Sequence, residues 1–172
     1  MKLRALLPAV ILALIVGAGS AKAQDGTRNP APETAGERVI LTVDGNLADG
    51  APVDFTRSEL EALGVEREET STPWFDDVVV FEGVRLSRVL DHVGAQGRTL
   101  VATALNEYYA EIPLSDARDH DVLIALKANG AYMSVRDKGP LFVIYPFDRK
   151  PELENELFYT KSVWQLRRLT VK

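Results

Sequence analysis

The sequence predicts an α+β fold, mixed and strand-rich, built as a single domain. Three observations carry that. Short β-branched or apolar runs, separated by Gly, Asn, Asp and Pro turns, recur through residues 38–172. Only two stretches show the spacing of a helix face. No repeat, low-complexity tract or internal linker interrupts them, so strands dominate one layered domain.

Arg38–Val43 (R-V-I-L-T-V) predicts a first strand, and Asp44-Gly45-Asn46 closes it with a turn signal. Thr56 is an N-cap for a short helix over Ser58–Leu63, with Glu59 three residues on and Gly64 at the stop. Glu66–Trp74 is polar and turns at Pro73, its acidic run Glu66–Glu69 reading as a solvated edge. Val78–Phe81 predicts a short strand. Leu86, Val89, Leu90 and Val93 share one helix face, ended by Gly94. Leu100–Leu105 and Tyr108–Ile112 predict a hairpin turned at Asn106-Glu107. Pro113–Asp119 reads as a loop or one helical turn, and Val122–Leu126 as a buried strand. Asn129-Gly130 turns into Ala131–Val135. Beyond the loop Asp137–Pro140, Leu141–Tyr145 is an apolar strand closed by Pro146. Asp148–Glu156 reads as a polar loop and Tyr159–Val171 as a long final strand. The pattern amounts to about eight strands and two helices.

The start of the chain has a different character. Lys2 and Arg4 precede an apolar run, Leu6–Val16, and small residues end in Ala21-Lys22-Ala23. That order predicts a cleavable secretory signal. The run is well short of the ~20 residues a membrane-spanning helix needs. The expected organisation is a signal peptide over 1–23, a Pro-containing flexible leader over 24–37 and the folded domain over 38–172. The expected location is the periplasm, with no membrane anchor after cleavage. The formal net charge is −5, and Lys2, Arg4 and Lys22 lie in the signal, so the exported part is more acidic still. An acidic surface argues against nucleic acid and anionic membranes as partners. The chain has no cysteine. It therefore has no disulfide, no thiolate metal ligand and no thiol nucleophile.

Few residues carry recognisable chemistry. His92 and His120 have no second histidine at metal-ligand spacing and read as surface histidines among acids. Ser71 and Ser134 lack a nucleophile elbow, and no phosphate-binding glycine loop appears. Two constellations stand out. Ala104-Leu105-Asn106-Glu107-Tyr108 puts a turn-forming Asn beside a Tyr pair that faces both sides of a strand, so one phenol is expected at a cavity or rim. Arg136-Asp137-Lys138-Gly139-Pro140 sets two cations on a turn before an apolar strand, as a carboxylate or phosphate site requires. The alternative for that loop is a solvated turn. Lys161, Arg167 and Arg168 are candidates for the same basic patch, and Trp74 and Trp164 read as core and rim packing.

From Trp74 to the C-terminus the chain resembles the molybdopterin-binding oxidoreductase domain of the sulfite oxidase and plant nitrate reductase type, in its short exported bacterial version. The matching pieces are Phe81-Glu82-Gly83-Val84-Arg85-Leu86, Ala104-Leu105-Asn106-Glu107-Tyr108, Ile112-Pro113-Leu114, Asn129-Gly130, Pro140-Leu141, Tyr145-Pro146 and Lys161-Ser162-Val163-Trp164-Gln165-Leu166. The resemblance implies a sulfite-oxidase-like fold around a cofactor pocket. In catalytic members the pocket holds pyranopterin-bound molybdenum ligated by a cysteine near the position of Thr70–Trp74. Here Thr70-Ser71-Thr72 stands there. Lys138 occupies a family glycine position, Phe142 replaces a cofactor-binding arginine, and Lys161 keeps the family's lysine.

The expected function is that of an exported molybdopterin-oxidoreductase-like domain, non-catalytic or cofactor-altered. It would bind a small anionic or pterin-like ligand, or a periplasmic or membrane protein. The missing cysteine argues against catalysis. A catalytic chain would be a molybdopterin-dependent oxidoreductase with a non-cysteine metal ligand, and a third alternative is an accessory or sensor module for a membrane signalling or redox protein. Molybdopterin enters by resemblance alone. The expected cofactor-binding residues are Asn106, Tyr108, Arg136, Lys138 and Lys161, with Thr70–Trp74 filling the former metal-ligand side.

Overall fold

Alternating or continuous apolar runs form ten strands among the described residues, 37–172 of this computed structural model, and the strands assemble into two sheets. The expected signal peptide and almost all of the leader lie outside those residues. The first sheet contains β1 (Leu41–Gly45), β2 (Val53–Phe55), β5 (Thr99–Ala104), β6 (Tyr109–Pro113) and β10 (Leu166–Val171), in the order β2-β1-β10-β5-β6. The β1–β10 pair is parallel, with Thr42 opposite Arg168, and the others are antiparallel. The second sheet runs β3 (Val65–Thr70), β4 (Val79–Arg85), β7 (Leu123–Ala128) and β8 (Ala131–Tyr132), with β9 (Phe142–Ile144) also paired to β7. Four α-helices complete the fold among the described residues: α1 (Arg57–Ala62), α2 (Leu86–His92), α3 (Asp116–Asp119) and α4 (Glu156–Lys161).

In the second sheet β9 and the first four residues of β7 are buried on both faces, which explains their continuous apolar runs. Successive residues of a strand point to opposite faces. Ile124, Leu126 and Val143 accordingly join the main core, while Leu123, Ala125, Phe142 and Ile144 join a second cluster. Each large apolar side chain so buried contributes about 1.5–3 kcal/mol. Trp74, Phe75 and Trp164 pack on the second cluster. A register shift after Glu82 brings Gly83 so close to β7 that a Cβ there would meet the Ile124 carbonyl oxygen at 2.0 Å.

The expected capping box of α1 is present: the Thr56 side chain accepts from the Glu59 N–H, and the Thr56 N–H donates to Glu59 Oε2 at 2.7 Å. The α2 helix and the β5–β6 hairpin also form as expected. Four expectations are corrected. The first strand begins at Leu41 rather than Arg38. The short strand β2, which the sequence pattern does not predict, forms by pairing with β1. The acidic run is strand β3, and Glu68 is buried there beneath Arg85 and Arg149 at 3.0 and 2.9 Å, so it is not solvated throughout. The long final strand is two elements: Tyr159–Lys161 belongs to α4, capped by the Asn155 side chain, which accepts from the Leu157 N–H at 3.0 Å, and only Leu166 onward is strand.

Candidate functional site

Three segments distant in sequence converge on a pocket of about 310 Å³: the β5–β6 turn, the β3–β4 connection, and the stretch from α4 to the residues before β10. Trp74, Tyr159 and Trp164 supply its aromatic walls, and Asn106, Tyr108 and Glu156 its polar edge. The Trp74 ring meets Trp164 edge-on at 5.8 Å and Tyr159 at 6.0 Å, and it packs on the buried Phe142 at 5.4 Å. Offset edge contacts of this kind hold rings in fixed orientations. Burial, then the nearby Glu154 and Glu156 carboxylates, raises the Tyr159 phenol above its ordinary range.

The hairpin tip closes by side-chain chemistry. Asn106 Oδ1 accepts from the Tyr108 N–H at 3.1 Å, and the left-handed residue is Glu107 (φ 67°), where the sequence pointed to Asn106. The Tyr108 hydroxyl donates to the Thr160 carbonyl at 2.8 Å, tying the hairpin to α4. Tyr109, on the opposite face, is exposed. Of the Tyr pair, therefore, Tyr108 is the one at the cavity.

Lys138 flanks this wall. It follows a 3-10 turn at Val135–Asp137 and adopts left-handed backbone (φ 71°, ψ 2°), a conformation that costs a side chain bearing a Cβ about 1–2 kcal/mol. Its carbonyl accepts from the Gln165 N–H at 2.8 Å. Gly139 follows, where a Cβ would meet the Met133 carbonyl oxygen at 2.1 Å, so the loop cannot shift freely. The Lys138 ammonium sits 5.3 Å from the Phe75 ring centre and 5.1 Å from that of Trp164. Neither Lys138 nor Arg136 forms an ion pair among the described residues.

The expected site residues are thus distributed unequally. Asn106 and Tyr108 line the pocket, Lys138 borders its Trp164 wall, and Arg136 is exposed on the neighbouring turn. Lys161 faces the core instead: its ammonium donates to Asp116 Oδ2 at 2.9 Å and lies 4.6 Å from the Phe158 ring centre. The Tyr145 hydroxyl donates to the same oxygen at 2.9 Å, and burial together with the Asp116 charge pushes that phenol far above its ordinary range. Arg167 and Arg168 pair with Glu107 and Asp44. Glu156, Tyr159 and Trp164 were missing from the expected set. The signal for Glu156 and Tyr159 was the Asn cap in Asn155-Glu156-Leu157-Phe158, which starts α4.

The former metal-ligand side is closed by hydroxyl bonds. Thr70 Oγ1 is buried, accepts from the Asp148 N–H at 3.1 Å and donates to the Ser71 carbonyl. The Ser71 N–H and hydroxyl both donate to the Asp148 carboxylate. Thr72 Oγ1 accepts from the Trp74 N–H.

Two sheets and an aromatic pocket define a strand-rich, sulfite-oxidase-like molybdopterin-binding fold. The family model described as the oxidoreductase molybdopterin binding domain matches residues 30–147, and the chain belongs to that family. Among solved structures it is similar to the sulfane dehydrogenase SoxCD from Paracoccus pantotrophus, with 20% identity and a TM-score of 0.59. That match covers 81% of this chain but 39% of the other, so the chain spans about two-fifths of that protein's length and the likeness is one of fold. No curated protein matches the chain.

The residues present do not fit a protein-ligated molybdenum centre. The chain has no cysteine, and among the described residues no three His, Asp or Glu side chains gather to hold a metal. The Thr70 and Ser71 hydroxyls are committed to Asp148, and a neutral hydroxyl is a hard, weakly acidic donor where the family uses a soft thiolate. Lys161, Arg167 and Arg168 are committed to carboxylates of the protein itself.

Proposed function

We propose that this molybdopterin-oxidoreductase-like domain is an exported binding module that acts in the periplasm without protein-ligated molybdenum. Its Trp74–Tyr159–Trp164 pocket receives a small planar, pterin-like ligand. One observation carries this: aromatic walls fixed by mutual edge contacts enclose about 310 Å³, at the small end of ligand cavities. Flat rings stack on such walls. The Glu156 carboxylate and the Asn106 amide at the edge suit the N–H and carbonyl groups on a pterin's rim. The test is metal and pterin analysis of the protein purified from the periplasm of its native host. The expected result is no stoichiometric molybdenum. Molybdenum at one ion per chain would overturn the proposal.

A further inference from the structure

We infer that the pocket also takes a second class of ligand, a compact organic cation of the quaternary-ammonium kind. This goes beyond the pterin-like reading and needs only that the pocket is a ligand site.

The aromatic walls stand nearly at right angles. Trp74 meets Trp164 at an interplanar angle of 88° and Tyr159 at 78°. A flat ring can stack on one such wall, whereas a rounded ion can touch several at once. The face of an aromatic ring is negative and attracts a cation, and groups of rings form the cages that hold quaternary ammonium ions. Trp164 is partly used, since the Lys138 ammonium lies 5.1 Å from its ring centre although Lys138 does not line the pocket. Trp74, Tyr159 and Tyr108 remain for a ligand. The polar lining favours the same class. The Tyr108, Thr160 and Ser162 hydroxyls donate to backbone carbonyls, and Asn106 Oδ1 accepts from the Tyr108 N–H. Glu156 forms no ion pair among the described residues. A quaternary ammonium has no N–H to satisfy and brings the charge that Glu156 lacks. Burial first, then the Glu154 and Glu156 charges, raises the Tyr159 phenol, so a negative field already reaches this wall. At about 310 Å³ the pocket suits a small headgroup.

Trp74 and Trp164 are the only two tryptophans of the chain, and both line the pocket, so tryptophan fluorescence reports its occupancy. The purified protein is titrated at constant ionic strength with choline chloride, with dimethylbutanol, the uncharged carbon isostere of choline, and with uncharged pterin. Choline is expected to saturate and to bind about tenfold more tightly than the isostere. Glu156→Gln should weaken choline several-fold and leave the isostere unchanged. Glu156 is exposed, so this variant should keep its melting temperature. Tyr159→Phe should retain the choline binding that Tyr159→Leu loses. Equal affinity for choline and the isostere, or a choline response that does not saturate, would overturn the cation site. Pterin binding without choline binding would overturn it while leaving the pterin-like reading intact. Choline binding without pterin binding would uphold the cation site and overturn the pterin-like ligand instead.

Discussion

Lys161 Nζ and Asp116 Oδ2 stand 2.9 Å apart inside the protein, with both side chains nearly excluded from solvent. Lys161 is the last residue of α4 and Asp116 the first of α3, so the pair clamps the pocket-forming helix to the rest of the fold. Tyr145 completes the arrangement by donating to the same oxygen. The lysine that the family resemblance marked as a cofactor contact is here an internal support.

Removing one member of a buried pair strands the other charge. Lys161→Met or Asp116→Leu is expected to lower unfolding stability by about 3–5 kcal/mol. The double variant Lys161→Met/Asp116→Leu should recover much of that, because neither charge is then left alone. Denaturant unfolding of all three checks it. Additive losses in the double variant would mean that the two side chains are not coupled.

Acid should weaken the charged edge of β3. Hydrogen bonding to Arg85 holds the Glu66 carboxyl below its usual range, and Arg149 does the same for Asp121. Both folded-state values lie below the unfolded ones. Their stabilisation is therefore complete above the unfolded values, near pH 4, and is lost as pH falls through and below that range. Melting temperature should fall between about pH 5 and pH 3. In Arg149→Ala the slope should be shallower, because Asp121 then loses its depressed value. An unchanged slope would show that the Arg149 contact does not persist in solution.

Loss of the α4 cap should be felt in the pocket. Asn155→Ala removes the acceptor for the Leu157 N–H and the donor to the Glu152 carbonyl, at a cost of about 1 kcal/mol. Tyr159 and Glu156 ride on that helix, so the tryptophan emission of the free protein should shift as well. Asn155→Asp should restore most of the stability, since aspartate caps as well. Full loss in the aspartate variant would assign the effect to the Glu152 contact instead.

The sequence made some of this arrangement legible and hid the rest for physical reasons. Thr56 and Glu59 announce α1 because a capping box is a local device, complete within four residues. Asn106 and Tyr108 could be singled out because a turn between two strands is equally local. The β2 strand could not be seen, because Val53–Phe55 is too short to show a period and is a strand by virtue of β1. The burial of Glu68 depends on Arg85 and Arg149, which lie far along the chain. The direction of Lys161 was hidden for the same reason, since Asp116 is 45 residues away. Asn155 was the exception: its cap was readable, but the β-prone Phe158-Tyr159 and the run toward Val171 outweighed it.

Returning a cysteine should not return the metal. If loss of one side chain were all that separates this chain from catalytic members of its family, Ser71→Cys would take up molybdenum in a host that makes the cofactor. The structure argues otherwise. The Ser71 N–H and hydroxyl are bound by Asp148, whose own N–H is held by Thr70, so the segment is braced against β9's following loop and is not free to present a ligand. Three of the basic side chains that could balance a bound anionic cofactor, Lys161, Arg167 and Arg168, already face Asp116, Glu107 and Asp44. Metal analysis of purified Ser71→Cys is therefore expected to match the wild type, and so is that of Thr72→Cys. Molybdenum appearing in either variant at a substantial fraction of one ion per chain would mean that the scaffold still recognises the cofactor and that only its thiolate has been lost.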